Sequence, residues 1–211
     1  MTQERKQREM STRTFVVASG NPGKIKDFQT LFGPLGIDVV PITDLFPDFD
    51  PVETGQTFLE NAILKGRAGA HTTGLPCLAD DSGLVVDALG GAPGIYSARY
   101  AGGLGDEANI EKLLLEMESV PDDQRTARFV SVVALILPDG EAFTSQGTLE
   151  GRILREKRGH QGFGYDPVFF IPSLDRTMAE LSLTEKNQIS HRKRAFSGIE
   201  KTVKELLATL F

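Results

Sequence analysis

Leu78-Ala79-Asp80-Asp81-Ser82-Gly83-Leu84-Val85-Val86 sets two adjacent carboxylates at the mouth of a short apolar run, with Ser-Gly directly after them. Packing alone gives little reason for this arrangement, because paired negative charges repel each other and resist burial. A divalent cation removes that objection. The stretch therefore reads as a carboxylate-held metal site beside a sheet; the bland alternative is a solvated, Asp-rich turn.

Working outward from this point, the pattern alternates between strands and helices. Upstream, the β-branched run Thr14–Ala18 predicts a strand and Ser19-Gly20-Asn21-Pro22-Gly23 a turn. Lys24–Phe32 then carries apolar residues at 25, 28, 31 and 32, which is helical spacing. Ile37–Val40 reads as a second strand and Asp44–Pro51 as a loop. Thr54–Ala70 has an apolar stripe (Phe58, Leu59, Ala62, Ile63, Ala70) and an N-cap in Thr54 or Thr57. Leu75–Ala79 and Leu84–Val86 flank the acidic pair as strand pieces.

Downstream, Asp106–Met117 predicts a helix capped by Asp106. Arg128–Leu137 predicts a strand that turns at Pro138-Asp139-Gly140 into a hairpin partner, Glu141–Gly147. Gly159–Asp166 is a glycine-rich loop, and Lys193–Leu210 closes the chain as an amphipathic helix. The fold class expected is α/β: a mixed central sheet with flanking helices in one domain, residues 14–211. Two lobes are expected, one of them holding the hairpin from about Asp106 to Pro172.

The 211 residues suffice for a sizeable core, and 40% apolar with 25% charged residues is ordinary for a soluble globular chain. A net charge of −6 argues against a general nucleic-acid binder but leaves room for a few lysines around a triphosphate. No apolar run approaches the ~18–20 residues of a membrane span. Residues 1–13 are polar, mix both signs of charge and lack the apolar core of a signal peptide, so a disordered tail is expected. The single Cys77 suits a reducing compartment, and a cytoplasmic location is expected.

Four further groups can carry chemistry. In Ser19-Gly20-Asn21-Pro22-Gly23-Lys24, glycines permit close backbone approach, the helix start offers N–H groups to an anion, and Lys24 adds a point charge. It is not the Gly-x4-Gly-Lys-Ser/Thr phosphate loop, since its spacing is shorter and no hydroxyl follows the lysine. Glu53-Thr54-Gly55 and Glu60-Asn61-Ala62 supply carboxylates that suit Mg²⁺, which takes one or two of them plus water and phosphate. Glu53 also reads as a helix-dipole partner and Glu60 as a capping residue. Gly162-Phe163-Gly164-Tyr165-Asp166-Pro167 frames two aromatics with glycines, suited to stacking on a flat heterocycle, with Asp166 free to accept base or sugar protons. Lys186, His191 and Arg192 gather donors ahead of the last helix, where basic residues oppose the macrodipole; an anionic or carbonyl-rich partner would explain them.

Taken in order, these pieces resemble the inosine triphosphate pyrophosphatase family, the non-canonical purine nucleoside triphosphate hydrolases. The resemblance runs from Phe15 to about Arg194. Its motifs are Ser-Gly-Asn-x-x-Lys, Glu-Thr-Gly-x-Thr-Phe-x-Glu-Asn-Ala, Ala-Asp-Asp-Ser-Gly-Leu, Gly-Gly-Ala-Pro-Gly-Ile-Tyr-Ser-Ala-Arg-Tyr, Gly-Phe-Gly-Tyr-Asp-Pro and Glu-Lys-Asn-x-Ile-Ser-His-Arg.

The resemblance implies an elongated α/β fold with two lobes around a nucleotide-binding cleft, a homodimer, and Mg²⁺ as cofactor. It implies hydrolysis of ITP, dITP and XTP to the monophosphate and pyrophosphate, with no nucleic-acid or membrane partner. Residue by residue, Asp81 matches the catalytic acid and, with Glu53, the metal ligands. Ser19, Gly20, Asn21, Pro22, Gly23 and Lys24 match the phosphate-contacting segment, and Ser82 a substrate contact. Phe163, Gly164, Tyr165, Asp166, Lys186, His191 and Arg192 match the nucleoside-binding set. Ser19 stands where the family frequently has Thr, and the hydroxyl is kept.

Hypoxanthine and xanthine carry a carbonyl at C6 where adenine carries an amino group, so donors from Lys186, His191 or Arg192 would be left unpaired by adenine. Three rivals remain. A septum-formation-type nucleotide pyrophosphatase has different motifs. A non-catalytic nucleotide sensor has no need of the intact Asp80-Asp81, Glu53 and Lys24. A haloacid-type phosphatase requires an Asp-x-Asp pair after the first strand, and none is present.

Overall fold

The computed structural model describes residues 13–210; the expected tail lies outside them but for Arg13. Among the described residues seven strands form one sheet in the order β2-β1-β3-β4-β5-β6-β7. They are β1 Thr14–Val17, β2 Asp38–Pro41, β3 Cys77–Val86, β4 Thr126–Ile136, β5 Ala142–Ile153, β6 Phe169–Ile171 and β7 Arg176–Thr177. The helices are α1 Pro22–Phe32, α2 Ile42–Leu45, α3 Phe58–Thr73, α4 Asp106–Glu116, α5 Leu183–Ile189 and α6 His191–Leu210. β1 pairs in parallel with β2 and β3, while β5, β6 and β7 pair antiparallel, so the sheet is mixed.

The chain divides into two compact units. The first comprises residues 13–81, 132–145 and 195 onward. Its β1 and β3 alternate strictly, as period-two side chains must. Phe15, Val17 and Leu78 face Phe28, Leu31 and Phe32 of α1 and Phe196, Ile199 and Val203 of α6. Val16, Ala18, Cys77 and Ala79 face the other way, toward Ala62 and Ala70 of α3. Each fully buried Phe or Leu contributes about 1.5–3 kcal/mol. On α3, a Cβ at Gly66 would stand 2.6 Å from Ile136 Cγ1 and one at Gly69 2.4 Å from Cys77 Sγ, so glycine lets this helix seat on the sheet.

The second unit comprises residues 82–131 and 146–194. Its core joins Leu84 and Val86 to Ile110 and Leu113 of α4, with Phe129, Leu149, Ile153, Tyr165 and Phe169. Phe129 and Phe169 pack with ring centroids 4.3 Å apart.

Several local expectations change. The strand pieces around Asp80-Asp81 are one continuous ten-residue strand, so the acids lie within β3 and not at a turn. A single turn of helix, α2, occupies part of the expected 44–51 loop. α3 starts at Phe58 behind Thr57, whose hydroxyl accepts from Glu60 N. Asp106 is the first residue of α4 and not its cap; Gly105 takes that position at φ 94°. β5 continues past Gly147 to Ile153, and the last helix begins at His191.

Candidate active site

In the first unit, β1 is followed by α1 and then β2 on one side, while β3 pairs on its other side. The connections diverge there, which is where open α/β sheets bind ligands, beyond the carboxyl ends of the strands. The register pairs Val17 with Leu78, so Asp80 and Asp81 extend past the end of β1, beside the Ser19–Gly23 turn.

Asp80 shares the face of Leu78 and Asp81 that of Ala79, and the two carboxylates accordingly meet different lysines. Lys24 Nζ, on α1, lies 2.8 Å from Asp80 Oδ2. Lys65 Nζ, on α3, lies 3.0 Å from Asp81 Oδ1 and 2.9 Å from Glu53 Oε1. The adjacent acids therefore do not share one cationic partner, because neighbouring strand residues point to opposite faces; Glu53, named with Asp81 as a metal ligand from the resemblance, is the acid that shares Lys65 with it.

Asn61, fully buried, ties these parts together. Its Nδ2 donates to Asp81 Oδ2 at 3.2 Å and its Oδ1 accepts from Gly55 N at 2.9 Å. A Cβ on Gly55 would fall 2.5 Å from Asn61 Oδ1, so this contact needs glycine.

Burial pushes the Asp81 carboxyl above its ordinary range, the ammonium groups of Lys65 and Lys24 pull it back, and Glu53 adds to the rise. Burial alone would lower Lys65, but Asp81 and then Glu53 outweigh it and hold the ammonium protonated. Both shifts describe one coupled ion pair: Lys65 stays charged, and Asp81 is a stronger base than an exposed aspartate.

The Ser19–Lys24 segment forms the cap of α1. Asn21 Oδ1 accepts from Gly23 N at 2.9 Å and Lys24 N at 3.2 Å, Pro22 opens the helix, and Ser19 Oγ accepts from Asn21 N at 3.1 Å. Two of the helix-start N–H groups expected to be open to an anion are thus taken by Asn21. Gly20, Asn21 and Pro22 are exposed, and a Cβ on Gly20 would meet nothing closer than 3.9 Å. Glu60 takes no part: its carboxylate accepts from Gln56 N at 2.6 Å, the capping role weighed for it.

The second unit gathers the rest. Lys186 Nζ of α5 lies 2.6 Å from Asp166 Oδ2 and 4.5 Å from the centroid of the Phe163 ring. Asp166 Oδ2 also accepts from Phe163 N at 3.1 Å, and a Cβ on Gly162 would strike that oxygen at 2.0 Å. Asp166 is therefore held by the protein, contrary to the expectation of a free acceptor. Tyr165 is buried in the core with its OH donated to Ser97 O at 2.8 Å, so of the two aromatics only the half-buried Phe163 can stack on a ligand. Burial, and then the nearby negative charges, raise the Tyr165 phenol well above its ordinary range.

The other two basic groups also have partners of their own. His191 stacks on Phe129 at 4.9 Å, and Arg192, only 1% exposed, donates from Nη2 to Ser82 Oγ at 3.3 Å. Gly164 N donates to Asp106 Oδ2 at 2.7 Å.

Asn61 and Lys65 were not singled out from the sequence. Their signal was present: four residues apart on a helix, they lie on one face, aligned with Glu53's segment and Asp81. Among the described residues no three acid, histidine or cysteine side chains gather as a metal cage. Two carboxylates drawn from separate segments to within 3.0 Å of one cationic atom nonetheless suit Mg²⁺, which completes its shell with water and substrate phosphate.

Fold and site together define a mixed α/β protein with carboxylates and lysines assembled beyond the carboxyl end of a central parallel strand. The chain belongs to the Ham1 family, whose model matches residues 15–202. It is 55% identical over 184 residues to a dITP/XTP pyrophosphatase of Pseudomonas aeruginosa, covering 86% of this chain and 92% of that one. A dITP/XTP pyrophosphatase of Geobacillus kaustophilus is 48% identical over 197 residues, 92% and 96% of the two chains. The solved Ham1 protein of Staphylococcus aureus is 49% identical with a TM-score of 0.81, covering 91% of this chain and 98% of its own. A HAM1 protein of Coxiella burnetii is 46% identical with a TM-score of 0.82 over the same shares.

Proposed function

We propose that this chain is a nucleoside-triphosphate pyrophosphatase that hydrolyses ITP, dITP and XTP to the monophosphate and pyrophosphate, using Mg²⁺ held by Glu53 and Asp81. The observation that carries the reading is the convergence of Glu53 and Asp81 on a single cationic position, 2.9 and 3.0 Å from Lys65 Nζ. The relatives' activity, dITP/XTP pyrophosphatase, supports the substrate class.

Bound Mg²⁺ would supply charge neutralisation and orientation of the phosphate chain. Lys24 and the exposed turn at Gly20–Pro22 hold that chain, and Lys65 keeps positive charge beside it. Asp81, raised by burial and fixed by Asn61, accepts a hydrogen bond from the attacking water and aims it at the α-phosphorus. Most of the acceleration comes from positioning and electrostatics. Phe163 stacks on the base, and Lys186 with Arg192 offers donors to its C6 carbonyl, which adenine cannot match.

A homodimer is proposed through Gly90–Tyr100, where Tyr96 is 57% exposed; sedimentation at micromolar concentration reads it directly. A cytoplasmic location fits the lone buried Cys77. No helix among the described residues is long and apolar enough to cross a membrane.

The test is pyrophosphate release from ITP at saturating Mg²⁺ by Asp81→Asn beside Asp80→Asn. The first should lose about 10²–10³-fold in kcat, the second less than about tenfold. Near-normal turnover by Asp81→Asn removes Asp81 from the centre, and ITP binding without turnover in the unaltered chain favours a sensor.

A further inference from the structure

The loop that carries Phe163 and Asp166 has an outside anchor that no substrate-binding motif includes. Asp106 is the first residue of α4, where an acid is expected to serve its own helix, whose N-terminus attracts negative charge. The cap position belongs to Gly105, which has no side chain to offer. Asp106 Oδ2 instead accepts from Gly164 N at 2.7 Å, the length of a strong charge-assisted hydrogen bond. Gly164, at φ 58°, sits between Phe163 and Tyr165, so its N–H sets where the Phe163 ring is carried.

The remaining restraints on the loop are laid out around this bond. Asp166 Oδ2 holds Phe163 N from within the loop, and Tyr165 OH reaches Ser97 O in the segment just ahead of α4. That segment is itself fixed by α4: Asn109 Oδ1 accepts from Ala101 N at 2.7 Å, Asn109 Nδ2 donates to Ala98 O at 3.2 Å, and Lys112 Nζ donates to Tyr100 O at 2.8 Å. Glu107, the residue after Asp106, pairs with Lys157, on the chain leading into the same loop. α4 thus grips both the 97–101 segment and the glycine loop, and Asp106 is its one contact to the residue next to Phe163 among these bonds.

We propose that Asp106 is a positioning residue for base binding: its carboxylate holds Gly164 so that the Phe163 ring and the Asp166–Lys186 pair stay in register for the purine. The inference rests on the reading of this loop as the base subsite. Asp106 accepts its hydrogen bond from the glycine loop, so its loss should weaken nucleoside recognition and leave phosphate handling intact.

The full chain is tested as Asp106→Ala and Asp106→Asn, with Lys186→Ala beside them. Readouts are kcat and KM for ITP, inhibition by inorganic tripolyphosphate as a probe of phosphate binding alone, and Tm. Both Asp106 variants lose the negative charge at the helix start, but asparagine keeps an oxygen acceptor for Gly164 N. Asp106→Ala should raise KM for ITP about tenfold with kcat within about twofold. Asp106→Asn should return KM to within about threefold of the unaltered chain, and tripolyphosphate inhibition should be the same in all.

A raised KM in Lys186→Ala with an unchanged KM in Asp106→Ala overturns the proposal and spares the base-subsite reading. An unchanged KM in Lys186→Ala overturns that reading itself. Equal defects in the Ala and Asn variants, or a loss of tripolyphosphate inhibition tracking Tm, would show a merely structural role and also overturn the proposal.

Discussion

One residue of register in β3 moves a carboxylate from Lys24 to Lys65. At the residue scale this explains why the Asp-Asp pair tolerates burial without sharing a cation: each acid has its own ammonium, on its own face. Asn61 is the residue that makes the Asp81 side specific. Replacing it by alanine leaves the Gly55 N–H and Asp81 Oδ2 each short of a partner. Asn61→Ala should therefore cost about 1–3 kcal/mol in urea-unfolding stability and lower kcat more than KM. Full activity in a folded Asn61→Ala would show that Asp81 needs no such brace. The acids, Glu53 and Lys24 were legible from the sequence because each sits in a compact motif. That Asp80 turns to Lys24 while Asp81 shares Lys65 with Glu53 was not, since it depends on reading 80 and 81 as residues of one strand. Asn61 and Lys65 are not legible as site residues because they lie inside a helix whose pattern is dominated by its apolar stripe, and Asp81 lies 20 and 16 residues further on. Tyr165 looked like a stacking ring, and only the fold shows its hydroxyl turned to Ser97 O.

At the scale of elements, α5 is short and stands on its cap. Ser182 Oγ accepts from Glu185 N at 3.3 Å, and Glu185 Oε2 accepts in return from Ser182 N at 2.8 Å; Arg176 pairs with the same carboxylate at 2.8 Å. The Ser182 backbone bond, then its hydroxyl and Arg176, lower the Glu185 carboxyl from 4.5 to about 2. A group depressed on folding stabilises the fold while ionised, so its contribution is complete above about pH 4.5 and is lost as the pH falls through about 2. Thermal melts across that range should therefore show a steeper fall in Tm for the unaltered chain than for Glu185→Gln; parallel curves would contradict it. Because α5 carries Lys186, KM for ITP should rise in the same variant. The existence of most helices and strands was readable from periodicity, whereas their ends were not. Asp106 reads as a cap by sequence alone, and only the backbone of Gly105 and the approach of Gly164 reveal its other use.

For the whole molecule, the family match from 15 to 202 takes in segments of both compact units, so both belong to the family's shared chain. A net charge of −6 is no obstacle to an anionic substrate when Lys24 and Lys65 stand among the acids that would bind its cation. The order of motifs along the sequence made the class of protein legible, but which side chains touch had to come from the fold, since Lys24, Glu53 and Asp81 are scattered through the chain. The central claim is that this chain cleaves a purine triphosphate between its α- and β-phosphorus atoms, with water attacking the α side. Hydrolysis of ITP with Mg²⁺ in ¹⁸O-labelled water, followed by mass analysis of both products, tests it most directly. The account predicts one labelled oxygen in inosine monophosphate and none in the released pyrophosphate; label in pyrophosphate, or release of orthophosphate with inosine diphosphate, would contradict it.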